Sequence, residues 1–166
     1  MMRGSSRPQL KTPEAVWLRP AKTADEDFLR ALFASTREQE LALLPGGAAA
    51  TLFLDSQFDL QHAEYRRSFP RASHEIIEVN TVAAGRLYVD RAEEALRLVD
   101  ISLLPAYRGR GIGTFLLHRL LAEAAQARRA LKLSVSISNP AQRLYHRLGF
   151  KTVSSDGVYL FQEAAP

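Results

Sequence analysis

At 166 residues, with 46% hydrophobic and 24% charged side chains, the chain has the size and make-up of one folded domain that buries its own core. It contains no cysteine, which excludes disulfides, thiolate metal sites and a cysteine nucleophile able to carry an acyl group. The net charge of +4 is unevenly spread: residues 1–100 hold 13 Lys/Arg against 15 Asp/Glu, and residues 101–166 hold 9 against 3, so the basic second half suits a polyanionic ligand.

Residues 1–13 include basic side chains but no apolar stretch of the kind that makes a secretory signal, and they read as a flexible leader to a single domain over 14–166. No apolar run approaches the roughly 20 residues that cross a bilayer, so no membrane association and a cytoplasmic location are expected. His62, His74, His118 and His146 lack metal-ligand spacing, and metal-free chemistry is expected. Val16–Leu18 reads as a strand stopped by Pro20. Thr23-Ala24-Asp25-Glu26 then reads as a capping box for a helix carrying Phe28, Leu29, Leu32 and Phe33. Leu41-Ala42-Leu43-Leu44 stops at Pro45-Gly46-Gly47, and Leu54, Phe58, Tyr65 and Phe69 follow at helical spacing before Pro70, an aromatic stripe of the kind that fills cores.

From His74 the period becomes that of strands: Ile76–Val79, a turn at Asn80-Thr81, and Val82–Val89 form a hairpin. In Leu96–Leu104, strict alternation puts Arg97, Val99, Ile101 and Leu103 on one face and Leu98, Asp100, Ser102 and Leu104 on the other, until Pro105 ends the strand. A Gly/Arg-rich segment runs into a helix from Ile112 to about Ala127. Leu131–Ile137 is strand-like. Asn139 as N-cap and Pro140 at the first helical position open a short helix through Leu144, Tyr145 and Leu148, which Gly149 stops. Strands at 151–153 and 158–161 close the chain around Ser155-Asp156-Gly157, a hairpin-turn signal.

Tyr107-Arg108-Gly109-Arg110-Gly111-Ile112-Gly113 lies between a strand and a helix, where unpaired N–H groups and the helix dipole attract anions. Glycine there lets backbone approach phosphate oxygens and take up positive φ. The spacing fits neither the dinucleotide fingerprint, which needs a third glycine where Thr114 stands, nor a P-loop, which needs Gly-Lys-Ser/Thr.

The segment resembles the acetyl-CoA motif of the GNAT superfamily of N-acetyltransferases, Arg/Gln-x-x-Gly-x-Gly/Ala, here Arg108, Gly111 and Gly113. Leu103-Leu104-Pro105 upstream and Asn139-Pro140-Ala141 through Leu148-Gly149-Phe150 downstream match the family's flanking blocks, so the likeness extends over residues 75–161. The resemblance implies an α+β fold: a mostly antiparallel twisted sheet of about seven strands with a splayed parallel pair, flanked by about four helices. It implies that acetyl-CoA binds along Leu103 and Leu104 and over Arg108, Gly109, Arg110, Gly111, Ile112, Gly113 and Thr114. Asn139 and Ala141 would contact the pantetheine, and Arg147 the 3′-phosphate region. Tyr145 occupies the family's general-acid position, where it would protonate the departing thiolate.

An ammonium has no lone pair, so the acceptor amine needs a base or a water relay. Asp100 is the first candidate, with Glu38 and Glu40 behind it. A backbone N–H at Leu103 would stabilise the oxyanion, as the resemblance implies. Glu40, Tyr65 and Tyr88 are candidates for lining the acceptor cleft, whose acidic first half suits a cationic amine. The expected activity is direct transfer of an acetyl group to a small amine or a protein amino group with no acyl-enzyme. Two rivals are a CoA-binding sensor without catalysis and a nucleic-acid module built on Arg108, Arg110, Arg128, Arg129, Arg143 and Arg147, which follow no recognised nucleic-acid motif. Edge strands near the C-terminus are candidates for pairing two chains as a homodimer.

Overall fold

The computed structural model describes residues 15–42 and 46–166; the leader read over 1–13 and the Leu43–Pro45 stretch lie outside them. Strands β1 (Val16–Pro20), β2 (Ser73–Val79), β3 (Val82–Arg91), β4 (Ala95–Leu103), β5 (Ala130–Ser136), β6 (Lys151–Ser155) and β7 (Tyr159–Ala164) form one sheet in the order β1-β2-β3-β4-β5-β7-β6. Every neighbouring pair is antiparallel except β4 and β5. The helices are α1 (Glu26–Ser35), the single turn α2 (Glu38–Leu41), α3 (Ala48–Ser68), α4 (Ile112–Ala127) and α5 (Gln142–Arg147). The sequence anticipates the sheet, its parallel pair and four of these helices; α2 is too short to leave a periodic signal.

Local chemistry sets the boundaries. Asn80 and Thr81 both take positive φ, 51° and 69°, as a two-residue hairpin turn requires, and they join β2 to β3. The start of α1 is organised by Asp25 and not by Thr23. The Asp25 carboxylate accepts the Lys22 N–H at 2.7 Å and is gripped by Arg19 of β1 at 2.7 and 2.8 Å, which holds its carboxyl down at about 2. Asn139 caps the turn leading into α5, its Oδ1 accepting the Ala141 N–H at 2.9 Å, and the helix proper begins at Gln142. Between β6 and β7, Asp156 accepts the N–H groups of Val158 and Tyr159 at 2.9 and 2.7 Å.

The two faces of the sheet bury separate clusters. On one, Ile77, Leu87, Leu96, Leu98 and Leu131 pack against Leu116, Leu117 and Leu120 of α4 and Tyr145 of α5. On the other, Ile76 meets Leu29 and Phe33 of α1 and Phe58 of α3. Strict alternation along β4 fails at one point. Tyr88 pairs with Asp100 but Val89 pairs with Leu98, so Val99 is an extra residue, a bulge. Beyond it the faces swap: Ile101 and Leu103 join Leu96 and Leu98 in the α4 core, while Arg97, Asp100 and Ser102 share the α1/α3 side. The bulge also marks where the parallel pair ends. Pairing with β5 runs from Ala95↔Ala130 to Leu98↔Leu133, and past that point β4 and β5 separate into a wedge-shaped gap.

Candidate active site

The gap and the glycine loop meet at the end of β4. The Leu104 N–H donates to the Ala84 carbonyl at 2.9 Å, so in an alternating antiparallel ladder the N–H and C=O of Leu103 turn the other way, toward β5. Leu103 therefore presents its backbone to the gap, and the Leu104 donor is engaged within the sheet. The close register of Leu103 with Gly85 depends on glycine. A Cβ at Gly85 would fall within 3.0 Å of the Ser102 carbonyl oxygen and 2.8 Å from Leu103 Cδ2.

The loop then turns into α4 through Gly109 and Gly111, at φ 69° and 83°. The first intrahelical bond is Phe115 N–H to Gly111 C=O at 2.9 Å, and no side chain caps the helix, which leaves the N–H groups of Ile112, Gly113 and Thr114 at its open end. Cβ atoms built on Gly109, Gly111 or Gly113 would meet nothing within 4 Å, so the space before these amides is open. Sixteen residues of aligned dipole stand behind them. This cradle fits a diphosphate. Ile112 is its anchor, 3% exposed in the α4 core.

The loop's arginines do other work. Arg108 donates to the Leu103 carbonyl at 2.8 Å and to the carbonyl and hydroxyl of Ser35 at 3.1 Å, so its side chain ties β4 to the end of α1. Arg110 lies over the Tyr107 ring and donates to the Ala106 carbonyl at 3.1 Å. On α5, Tyr145 is buried edge-on against Phe150 with ring centroids 5.7 Å apart, while Arg147 is exposed. Burial, with the Asp100 charge adding to it, pushes the Tyr145 hydroxyl up to about 12.

On the α1/α3 side, Asp100 is held from two directions. Its Oδ2 pairs with Arg86 and its Oδ1 accepts the Ser102 hydroxyl at 3.0 Å. Arg86 is 4% exposed and also donates to Gln61 of α3 at 2.9 Å. Tyr65 and Tyr88 meet edge to face at 5.4 Å, Arg86 lies 5.8 Å from the Tyr65 ring, and His74 stacks on Tyr88 at 4.8 Å. Burial pushes the Tyr65 hydroxyl up, and the neighbouring Asp100 charge adds to the shift. Glu40 stands apart from this group, exposed and paired with Arg37 at 2.9 Å.

The structure thus brings Asp100, Tyr65 and Tyr88 together, and sets Tyr145 where it feels the Asp100 charge. Sequence reasoning passed over Arg86, Gln61 and Ser35. Arg86 had a signal: it is the one charged residue in the otherwise apolar run Val82–Val89, and a charge on a buried strand needs a partner. Gln61 and Ser35 had none, because their roles depend on how α1 and α3 seat on the sheet.

Among the described residues no helix is long and apolar enough to cross a membrane, and no three His, Asp or Glu side chains gather in a way that could hold a metal ion. Residues 71–152, from just before β2 to the start of β6, match the family model described as the acetyltransferase (GNAT) domain. No curated protein sequence matches the chain. The fold is similar to that of the PaiA N-acetyltransferase from Thermoplasma acidophilum in complex with coenzyme A, at 16% identity and TM-score 0.68 over 92% of this chain and 99% of that one. It is also similar to an acetyltransferase from Thermus thermophilus, at 22% identity and TM-score 0.67 over 91% and 97%. An acetyltransferase from Streptococcus agalactiae is similar at 15% identity and TM-score 0.63 over 91% and 98%. At these identities the likeness is one of fold. The family match and the splayed sheet agree: residues 71–152 carry a GNAT acetyltransferase domain, the domain of a class of acyltransferases, and the fold around it is that of the acetyltransferases just described.

Proposed function

We propose that the protein transfers an acetyl group from acetyl-CoA directly to a primary amine, with no acyl-enzyme. The observation that carries this reading is the meeting of three unpaired N–H groups at the mouth of α4 with the backbone of Leu103 at the edge of the β4/β5 gap. A diphosphate would sit on the amides of residues 109–114, with the pantetheine along Leu103 on one side of the gap and Asn139 and Ala141 on the other. The cofactor supplies an acetyl thioester at the head of the gap. The Leu103 N–H stabilises the negative charge that builds on the carbonyl oxygen during attack. Tyr145, held protonated through the neutral range, gives the departing sulfur a hydrogen bond and then a proton.

Asp100 has a narrower part than that of a free base. With Arg86 on one oxygen and Ser102 on the other, it is a fixed anion that accepts an N–H hydrogen bond from the acceptor and aims its nitrogen, while the surplus proton leaves to water. Tyr65 and Tyr88 line the approach. Arg110 and Arg147 contribute positive potential near the phosphates, whereas the Arg108 side chain serves by fixing the strand.

Thermal unfolding with acetyl-CoA tests the cofactor. At a ligand concentration about 100 times Kd, stabilisation of about 2.7 kcal/mol is expected, which for a domain of this size raises Tm by roughly 5–10 °C. A Tm unmoved by acetyl-CoA at low salt would remove the basis for the reading.

A further inference from the structure

The acidic surplus of the first hundred residues invites a polycationic acceptor, yet part of it is engaged by arginines on α1 to α3. Glu26, Asp55 and Asp59 converge on Arg30, Glu64 pairs with Arg67, and Glu40 pairs with Arg37. Asp100, the carboxylate grouped with Tyr65 and Tyr88, carries a buried counter-charge of its own in Arg86. That arrangement is expensive to bury and is held on three sides: Gln61 of α3 accepts from the guanidinium, Ser102 fixes the other carboxylate oxygen, and the Tyr65 ring covers the guanidinium at 5.8 Å. Asp100 keeps 18% of its side-chain surface exposed while Arg86 keeps 4%. A ligand therefore meets the carboxylate and not the guanidinium. At contact range it finds a hydrogen-bond acceptor; from further away it finds a pair with no net charge.

We propose that Arg86 sets the acceptor class. It holds Asp100 as a fixed acceptor for one amine N–H and cancels the long-range pull that a lone carboxylate would exert, so the cleft takes a single amine on an uncharged or anionic body and discriminates against polyamines. This deepens the acetyl-transfer reading and rests on it for the identity of the site. A second and third ammonium gain nothing from Asp100 beyond the one N–H contact, because its charge is already answered by Arg86.

The test is a selectivity ratio, kcat/KM for n-butylamine over that for spermidine, both with acetyl-CoA. The wild type is expected to favour the monoamine. Arg86→Gln leaves Asp100 unpaired and is expected to move the ratio toward spermidine by about tenfold or more, with the KM for acetyl-CoA unchanged. Arg86→Lys keeps the charge and is expected to keep the wild-type ratio, an outcome that a purely structural role does not require. Asp100→Asn leaves a net positive floor and is expected to raise the butylamine KM and depress spermidine turnover further, which keeps the proposal open to refutation should Arg86→Gln not fold. A wild type that prefers spermidine, or a folded Arg86→Gln with an unchanged ratio, overturns it. Should neither amine be turned over, the failure belongs to the acetyl-transfer reading. Calorimetric binding of the same two amines to the CoA-loaded wild type and to Arg86→Gln then decides the proposal on its own, an unchanged binding ratio refuting it.

Discussion

Replacing Gly85 by alanine puts the reasoning about the β4 end at risk most directly. The added methyl would lie within 3.0 Å of the Ser102 carbonyl oxygen, 2.8 Å from Leu103 Cδ2 and 3.2 Å from Leu103 Cα. Two of those three neighbours are backbone, which cannot swing aside as a flexible side chain would, so β4 must move away from β3 at the residue whose amide faces the gap. Overpacking of this kind costs about 3 kcal/mol. In a domain of this size that lowers Tm by roughly 6–12 °C. The same displacement carries the Leu103 N–H off its position, so acetyl-CoA affinity is expected to fall by about tenfold or more, since misplacement near 1 Å is heavily penalised. Differential scanning calorimetry and a calorimetric titration with acetyl-CoA measure the two effects. A variant with wild-type Tm and wild-type affinity would show that the close β3/β4 register does not position the cofactor strand.

Three further outcomes follow from other parts of the site. Gly111→Val places a branched side chain at φ 83° over the open amides; a weakening of acetyl-CoA binding by at least about tenfold, read by titration, is expected, and unaltered affinity would count against the cradle. Tyr145→Phe keeps the packing against Phe150 but removes the proton; steady-state kinetics should show kcat lower by about a hundredfold or more with the acetyl-CoA KM little changed, and an equal kcat would dismiss Tyr145 as the acid. Burial first, then the charges of Arg86 and His62, hold the His74 imidazole down at about 4 against an ordinary value of 6.5. Between those values the unfolded chain binds the proton and the folded one does not, so stability present above pH 6.5 is lost as pH falls toward 4, by on the order of 2 to 3 kcal/mol. His74→Phe should flatten the fall of Tm between pH 7 and 4.5, and parallel curves for the two proteins would rule His74 out as its source.

Much of this architecture is written locally in the chain. The Asn80-Thr81 turn, the stop at Pro105, the glycines at 109 and 111, and the Asp156-Gly157 hairpin each act on neighbours within a few residues, and sequence patterns reach that far. What stayed hidden depends on partners far apart. The bulge at Val99 is visible only once β3 is paired beside β4, and it reverses which side chains of 100–103 meet the α4 core. Asp100 attracted notice as an acid near the site, but its engagement by Arg86 fourteen residues earlier, and that arginine's by Gln61, are products of sheet register and helix docking. Arg108 matched a phosphate-binding pattern, while its side chain reaches across 73 residues of sequence to Ser35.

That last contact reaches beyond the cofactor. One guanidinium yokes the carbonyl of Leu103 to the final turn of α1, so the helix on one face of the sheet and the end of β4 share a rivet. Anyone re-engineering this scaffold can treat Ser35 as a fixed post for the end of β4.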